Sequence, residues 1–204
     1  MAQVVIIGAG IGGLPMAYEM QALAKSDEQV TVIGNGPNFH FVPSNPWVAV
    51  NWRTRADIEF PIAQYLKRKR IAFNGSGAKR LDPQHNRIEL GDGSVLDYDY
   101  LVIASGPKLA FDEIEGLGPE ANTHSVCNVD HAAQTAVAWS EFVKEPGPIV
   151  VGAVQGASCF GLAYESAFIM ERDLRTRRIR DRVPMTFVTA EPYIGHLGLG
   201  GVGD

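Results

Sequence analysis

Residues 3–13 read QVVIIGAGIGG, an apolar, β-branched run whose Gly8, Gly10 and Gly13 are spaced as GxGxxG. Such a run bounded by glycine predicts a buried parallel strand. The segment from Gly12 to Lys25 has helix-forming composition, with apolar residues at Leu14, Ala17, Tyr18 and Leu23. QVTVIG, at 29–34, predicts a second buried strand. Strand, glycine turn, helix and strand within about 35 residues make a βαβ unit and put a parallel sheet in play. In such a turn the first glycine permits the bend and the second lets a pyrophosphate approach the backbone. The third lets helix and strand pack closely, and the helix N-terminus supplies free N–H groups and a positive dipole. Placed between a strand and a helix, the motif points to a dinucleotide; a turn serving packing alone is the alternative. The ribose-binding Asp or Glu is expected about 20 residues on. Here the strand ends at Gly34-Asn35, where the amide can hydrogen-bond a hydroxyl without charge. The residues alone leave FAD and NAD open.

The βαβ pattern restarts in GPIVVGAVQGASCFGLAYE, at 147–165, followed by a helix through about Arg178 and the strand MTFVTAE at 185–191. Read as GxGxxG from Gly152, this turn carries Val154 in the middle and Ala157 at the end. A branched side chain at the middle position fills the space a pyrophosphate needs, so the turn is not expected to hold NAD(P)H well. Cys159 is expected in the first helical turn, where unpaired N–H groups and the dipole favour a thiolate. A small buried residue packing helix on sheet is the alternative there, and for Cys127 too. Between the two glycine turns, NFHFVPSNPWVAVNW at 38–52 reads as a structured loop. DIEFPIAQYLKRKRI at 57–71 reads as a helix with Pro61 early in it, then a short strand at 71–73. A hairpin follows around GDG at 91–93, and an apolar strand ends at Ala104-Ser105-Gly106. HAAQTAVAWSEFVKE at 131–145 reads as a helix stopped by PGP.

The fold class is therefore α/β: a Rossmann-like, three-layer FAD/NAD(P)-binding fold with tandem dinucleotide-binding domains, the second incomplete. The expected division is 1–115 for the first domain and 116–204 for the second, with the boundary in the stretch 110–125. The chain has 204 residues, 46% of them apolar, and a net charge of −5. That charge argues against nucleic acid as a partner, since phosphate contacts need an excess of Lys and Arg. Two cysteines do not make a disulfide scaffold. With a strand at the very start and no long apolar run, neither an export signal nor a membrane span is expected, and the setting is expected to be cytoplasmic. The glycine-rich end, GHLGLGGVGD, reads as a chain cut off within its architecture, so a fragment of a longer protein is expected. The basic stretch ERDLRTRRIRDR, at 171–182, interleaves Glu171, Asp173 and Asp181 with its arginines and reads as a solvated helix end.

Taken together, VVIIGAGIGG, FHFVPSNPWVAV, DYDYLVIASGPKLAF, CNVDHA, EPGPIVVGAVQGASCFGLAYE and EPYIGHLGLGGVGD resemble the sulfide:quinone oxidoreductases. These are flavoproteins of the two-dinucleotide-domain disulfide reductase superfamily, and the resemblance runs over essentially the whole chain. It implies FAD, with Gly8, Ala9, Gly10, Ile11, Gly12 and Gly13 at its pyrophosphate and Gly34 and Asn35 on the adenosine side. Val42 and Pro43 would lie near the flavin, and Ala104, Ser105 and Gly106 through Ala110 would pass beside it. Cys159 would be the cysteine next to the flavin, paired in the family with one far downstream, and Cys127 an accessory third cysteine. His131 and His196 would line the sulfide chamber, with Glu165 a nearby carboxylate. Judged without the family, both histidines read as structural or surface residues and Glu165 as a solvated helix residue. Hydrosulfide would open the disulfide, leaving a persulfide on one sulfur and a thiolate on the other. Two electrons would then reach a quinone through the flavin. No metal is called for. The resemblance also implies peripheral attachment to the cytoplasmic side of the inner membrane through a C-terminal region, and leaves oligomers open. Rival readings are a type II NADH:quinone oxidoreductase, a flavocytochrome sulfide dehydrogenase subunit, and a non-catalytic FAD-binding fragment.

Overall fold

A computed structural model describes residues 2–197. In chain order it begins with β1 (Gln3–Ile7), α1 (Gly13–Leu23), β2 (Gln29–Ile33) and β3 (Asn38–His40), followed by α2 (Asn45–Ala49) and α3 (Arg55–Ile58). Next come β4 (Glu59–Pro61), α4 (Ala63–Arg68), β5 (Ala72–Asn74), β6 (Ala78–Asp82), β7 (Arg87–Leu90), β8 (Val95–Asp97) and β9 (Tyr100–Ile103). The last elements are α5 (Val129–Phe142), β10 (Ile149–Ala153), α6 (Gly161–Thr176) and β11 (Met185–Thr189).

These elements form two compact units. The first holds the chain through Phe41 together with Glu59–Ala110, and the second holds Val42–Ile58 together with the chain from Phe111 onward. The chain changes unit between Ala110 and Phe111. The excursion of 42–58 into the second unit was not expected, and its cause is packing. Val48 and Ile58 are buried with Val129 and Ala132, and Val50 is buried with Trp139, Ile169, Leu174 and Val183.

The first unit is built on a four-stranded parallel sheet in the order β5-β2-β1-β9. Alternate residues of β1 face opposite ways, as a strand requires. Val4 and Ile6 are buried with Ala17 of α1 and Leu66 of α4. Val5 is buried with Ile88 and Leu90 of β7. Helices, parallel sheet and the antiparallel β6-β7-β8 meander thus make three layers, and the unit is Rossmann-like. Each fully buried aliphatic chain such as Ile6 contributes about 1.5–3 kcal/mol.

The stretch 57–71, expected as one helix, is divided into α3, β4 and α4. Pro61 has no N–H and disfavours helical backbone in the residue before it. Phe60 is extended instead, paired with Phe39 across β3 and β4, the ring centroids 5.3 Å apart. The expected loop at 38–52 likewise contains β3, a 3-10 turn at Val42–Ser44 and α2, with Pro46 in its first turn, where the missing donor costs nothing.

The second unit repeats the βαβ arrangement. β10 runs parallel to β11, with α6 between them in sequence. Helix α5 starts at Val129, two residues before the expected start, because Asn128 caps it by accepting the His131 N–H at 2.8 Å.

Candidate functional site

In the first unit the strand ends converge on one turn. The N–H of Gly8 donates to Ile33 at 2.8 Å, that of Ala104 to Ile7 at 2.7 Å and that of Gly34 to Asn74 at 2.8 Å. The C-terminal ends of β1, β2, β9 and β5 therefore lie side by side, the usual place for a ligand on an open parallel sheet. The glycines divide the work. A Cβ on Gly8, whose φ is +115°, would lie 2.0 Å from the Ala104 carbonyl oxygen, and one on Gly13 would lie 1.8 Å from the Gly8 oxygen. Both are required for closure of the turn. A Cβ on Gly10 would meet nothing within 4 Å, so the middle position opens onto free space. Helix α1 has no side-chain cap and no acidic residue in its first turn. Its N-terminal N–H groups and dipole are thus left for an external anion. An open middle glycine before an uncapped helix end fits a pyrophosphate. Ala9, Ile11 and Gly12 complete this turn, Gly34 and Asn35 follow β2, and Ala104, Ser105, Gly106 and Ala110 follow β9, all within the same unit. Val42 and Pro43 belong to the second unit.

The second glycine turn departs from the motif expected of it. Residues 154–160 connect β10 to α6, whereas 8–12 connect β1 to α1. Helix α6 begins at Gly161 rather than beside Ala157, and Cys159 stands in the turn, ahead of the cap residue Phe160. The expected position of Cys159 inside the first helical turn is therefore corrected; the longer connection, bent at Gly156 with φ +82°, places it outside the helix. Gly152 lies within β10, where a Cβ would come 1.9 Å from the Val188 oxygen, so it serves strand packing. Val154 is 40% exposed.

Cys127 and Cys159 are both exposed free thiols, not buried packing residues. Both line one largely apolar cavity of about 610 Å³ in the second unit, with Trp139, Phe142, Val150 and Leu162 among its walls.

A family model described as pyridine nucleotide-disulphide oxidoreductase matches residues 2–173. The chain belongs to this family. Its members are FAD-binding flavoproteins, and the turn at Gly8–Gly13 leaves open space at Gly10 before an uncapped helix end. Among relatives, the sulfide-quinone reductase of Aquifex aeolicus is 44% identical over 200 residues, covering 98% of this chain and 46% of the relative. The mitochondrial sulfide:quinone oxidoreductase of Dictyostelium discoideum is 25% identical over 194 residues, covering 93% and 42%. The X-ray structure of the Aquifex aeolicus sulfide:quinone oxidoreductase superposes with a TM-score of 0.92 at 43% identity, over 100% of this chain and 46% of that one. The chain thus spans about half the length of the relatives it matches.

Within this flavoprotein family member the remaining site residues are dispersed over the second unit. Among the described residues the cavity wall includes His124, which sequence reasoning passed over, but not His131, His196 or Glu165. His131 follows the α5 cap. Its Nε2 lies 3.3 Å from the Asn128 amide nitrogen, its ring 5.6 Å from Phe111, and its buried Nδ1 has no partner among the described residues. Glu165 is half-buried on α6. His196 lies in a turn after β11, its ring edge-on to Tyr193 at 5.2 Å.

Two polar groups had no signal in the sequence. Asp173 is 3% exposed and accepts hydrogen bonds from the indole N–H of Trp52 and of Trp139, each at 2.8 Å, and from Arg177 at 2.6 Å. The Tyr164 hydroxyl donates to Glu191 at 2.7 Å. Burial and this bond push the Tyr164 phenol above its ordinary value. Burial pushes Glu191 up as well, but hydrogen bonds from Thr189, Tyr164 and the Leu197 N–H outweigh it and hold the carboxyl below the usual glutamate range. The arginines after Asp173 are partly engaged, Arg175 with Glu171 and Arg177 with Asp173. No helix among the described residues is long and apolar enough to cross a membrane.

Proposed function

We propose that the chain is the N-terminal part of a sulfide:quinone oxidoreductase, oxidising sulfide to polysulfide or sulfur and passing the electrons to a membrane quinone. The observation that carries this reading is the pair of exposed thiols, Cys127 and Cys159, lining one largely apolar cavity. The 44% identity to a protein named for the same reaction supports it.

In this reading Gly8–Gly13 receive the pyrophosphate of FAD, Gly34 and Asn35 the adenosine side, and Val42, Pro43 and Ala104–Ala110 follow the flavin. When bound, FAD supplies a two-electron acceptor that a quinone reoxidises. Cys159 forms a disulfide with a partner cysteine. Hydrosulfide attacks that disulfide; one S–S bond breaks and another forms, leaving a persulfide on the partner and a thiolate on Cys159. Side chains such as Trp139 and Phe142 give the cavity its apolar lining. Cys127 is an accessory thiol lining the same cavity. His131, His196 and Glu165 are the groups this reading assigns to handling the protons. Attachment to the cytoplasmic face of the inner membrane is peripheral.

The test is anaerobic titration of the oxidised full-length flavoprotein, first with sulfide and separately with NADH, following flavin absorbance. Bleaching by sulfide but not NADH, abolished in Cys159→Ser, is the expected result. Bleaching by NADH alone would sink the reading and return Val154 and its turn to a nicotinamide role.

A further inference from the structure

His196 is flanked by two residues with left-handed backbone, Gly195 at φ 90° and Leu197 at φ 55°. The second of these is a conformation that a residue with a Cβ rarely adopts. The N–H groups of both neighbours are used. Gly195 donates to the Tyr164 hydroxyl oxygen at 2.7 Å, and Leu197 donates to Oε1 of Glu191. The two acceptors are joined, since the Tyr164 hydroxyl donates to Oε2 of Glu191 at 2.7 Å.

The ring so closed is anchored on regular structure at each corner. Tyr164 stands on α6, its ring 4.5 Å from Phe187 of β11. The Thr189 hydroxyl, at the end of β11, donates to Oε2 of Glu191 at 2.7 Å and accepts the Glu191 N–H at 3.3 Å. Above the turn, Tyr193 lies edge-on to the imidazole, and the His196 N–H donates to the Tyr193 carbonyl at 3.3 Å. The Glu191 carboxylate also feels the charge of a protonated His196.

We propose that Tyr164 and Glu191 are positioning residues for His196, a clasp that ties the main chain on both sides of the imidazole and fixes where it can take up and release a proton. The inference rests on the proton-handling role given to His196 above. Turn stability alone would be served by one of these bonds. Bonds to both neighbours of a single residue, from partners bonded to each other, restrict that residue.

The test uses Tyr164→Phe, which keeps the ring on Phe187 but removes the hydroxyl, and Glu191→Gln, which keeps size and one acceptor. Two readouts are needed. In the chain labelled at histidine, which has five such residues, the His196 imidazole resonance and its titration are expected to shift in both variants, with the other four in place. In the full-length flavoprotein, the rate of bleaching by sulfide is expected to fall about tenfold to a hundredfold in Glu191→Gln, the usual scale for a misplaced reacting group. The same limb of the pH profile should change as in His196→Asn, and combining the two substitutions should add nothing further. An unmoved His196 resonance in both variants, with tryptophan fluorescence showing an intact fold, overturns the proposal. So does a shifted resonance accompanied by a wild-type rate and pH profile. If sulfide fails to bleach the unsubstituted protein, the sulfide reading falls, and the resonances by themselves decide for or against the clasp.

Discussion

Asp173→Ala should unfold the second unit at much lower denaturant than the parent chain. The carboxylate is buried and accepts three bonds, from Trp139, Trp52 and Arg177. Trp139 is 5% exposed, so its indole N–H cannot turn to water, whereas Trp52 is 41% exposed and the Arg177 side chain 38%. Orphaning the Trp139 donor costs about 1–3 kcal/mol, and losing the two more exposed charge-assisted bonds adds about 1–2. The total of about 2–5 kcal/mol overlaps what breaking a buried pair costs. With a urea dependence of about 1–3 kcal/mol/M, the midpoint should fall by about 1–5 M. The assay is intrinsic fluorescence, because all three tryptophans, Trp47, Trp52 and Trp139, belong to this unit. Asp173→Asn keeps one acceptor oxygen and should lose roughly half as much. In a Trp139→Phe background, which removes the orphaned donor, Asp173→Ala should cost about 1 kcal/mol less. A shift below about 1 kcal/mol for Asp173→Ala, or an unchanged cost in the Trp139→Phe background, would refute the reasoning.

Three further outcomes are expected. Gly10→Val should leave the thermal melting of the apoprotein within about 0.5 kcal/mol of the parent, since its Cβ meets nothing, yet lose bound FAD. Gly13→Ala, with its Cβ driven onto the Gly8 oxygen, should lower the melting temperature itself, so comparing melting with flavin content separates the two glycines. The Glu191 carboxyl is held below its ordinary value of 4.5, so its contribution is complete above about pH 4.5 and is lost as pH falls through the lower folded value. Amide exchange at Leu197 should therefore accelerate below pH 4.5 relative to the sheet amides of β10, and Glu191→Gln should show no such pH dependence. Asn128→Ala removes the α5 cap and should cost about 1 kcal/mol by chemical denaturation, with Asn128→Asp close to the parent.

The parallel sheet was legible because β1 and β2 are short β-branched runs on either side of a glycine turn, a pattern decided within a few residues. The glycine turn was legible for the same reason, since Gly8 and Gly13 each answer to a local steric demand. The break at Pro61 was misread, because β4 exists only through its pairing with β3, and pairing is a long-range choice that helix composition cannot announce. The start of α6 was misjudged as well: two extra residues in its connection moved Cys159 out of the helix, and spacing templates are blind to an inserted turn. Asp173 and Glu191 left no trace at all. Each is an ordinary acidic residue until the fold brings it distant partners, indoles 34 and 121 residues away for Asp173 and the Tyr164 hydroxyl 27 residues away for Glu191.

The excursion of residues 42–58 also orders events during synthesis. Asn45 reaches the Val126 carbonyl, 81 residues later, and Trp52 reaches Asp173, 121 residues later. At roughly 5–20 residues per second, these partners leave the ribosome about 4–16 s and 6–24 s after the groups they satisfy. The first unit, whose strands are all made by residue 103, has its whole sequence available sooner. Through that interval Trp47, Val48 and Val50 travel uncovered on a segment threaded out of a sheet that can already close, and a holding chaperone has a defined stretch to meet.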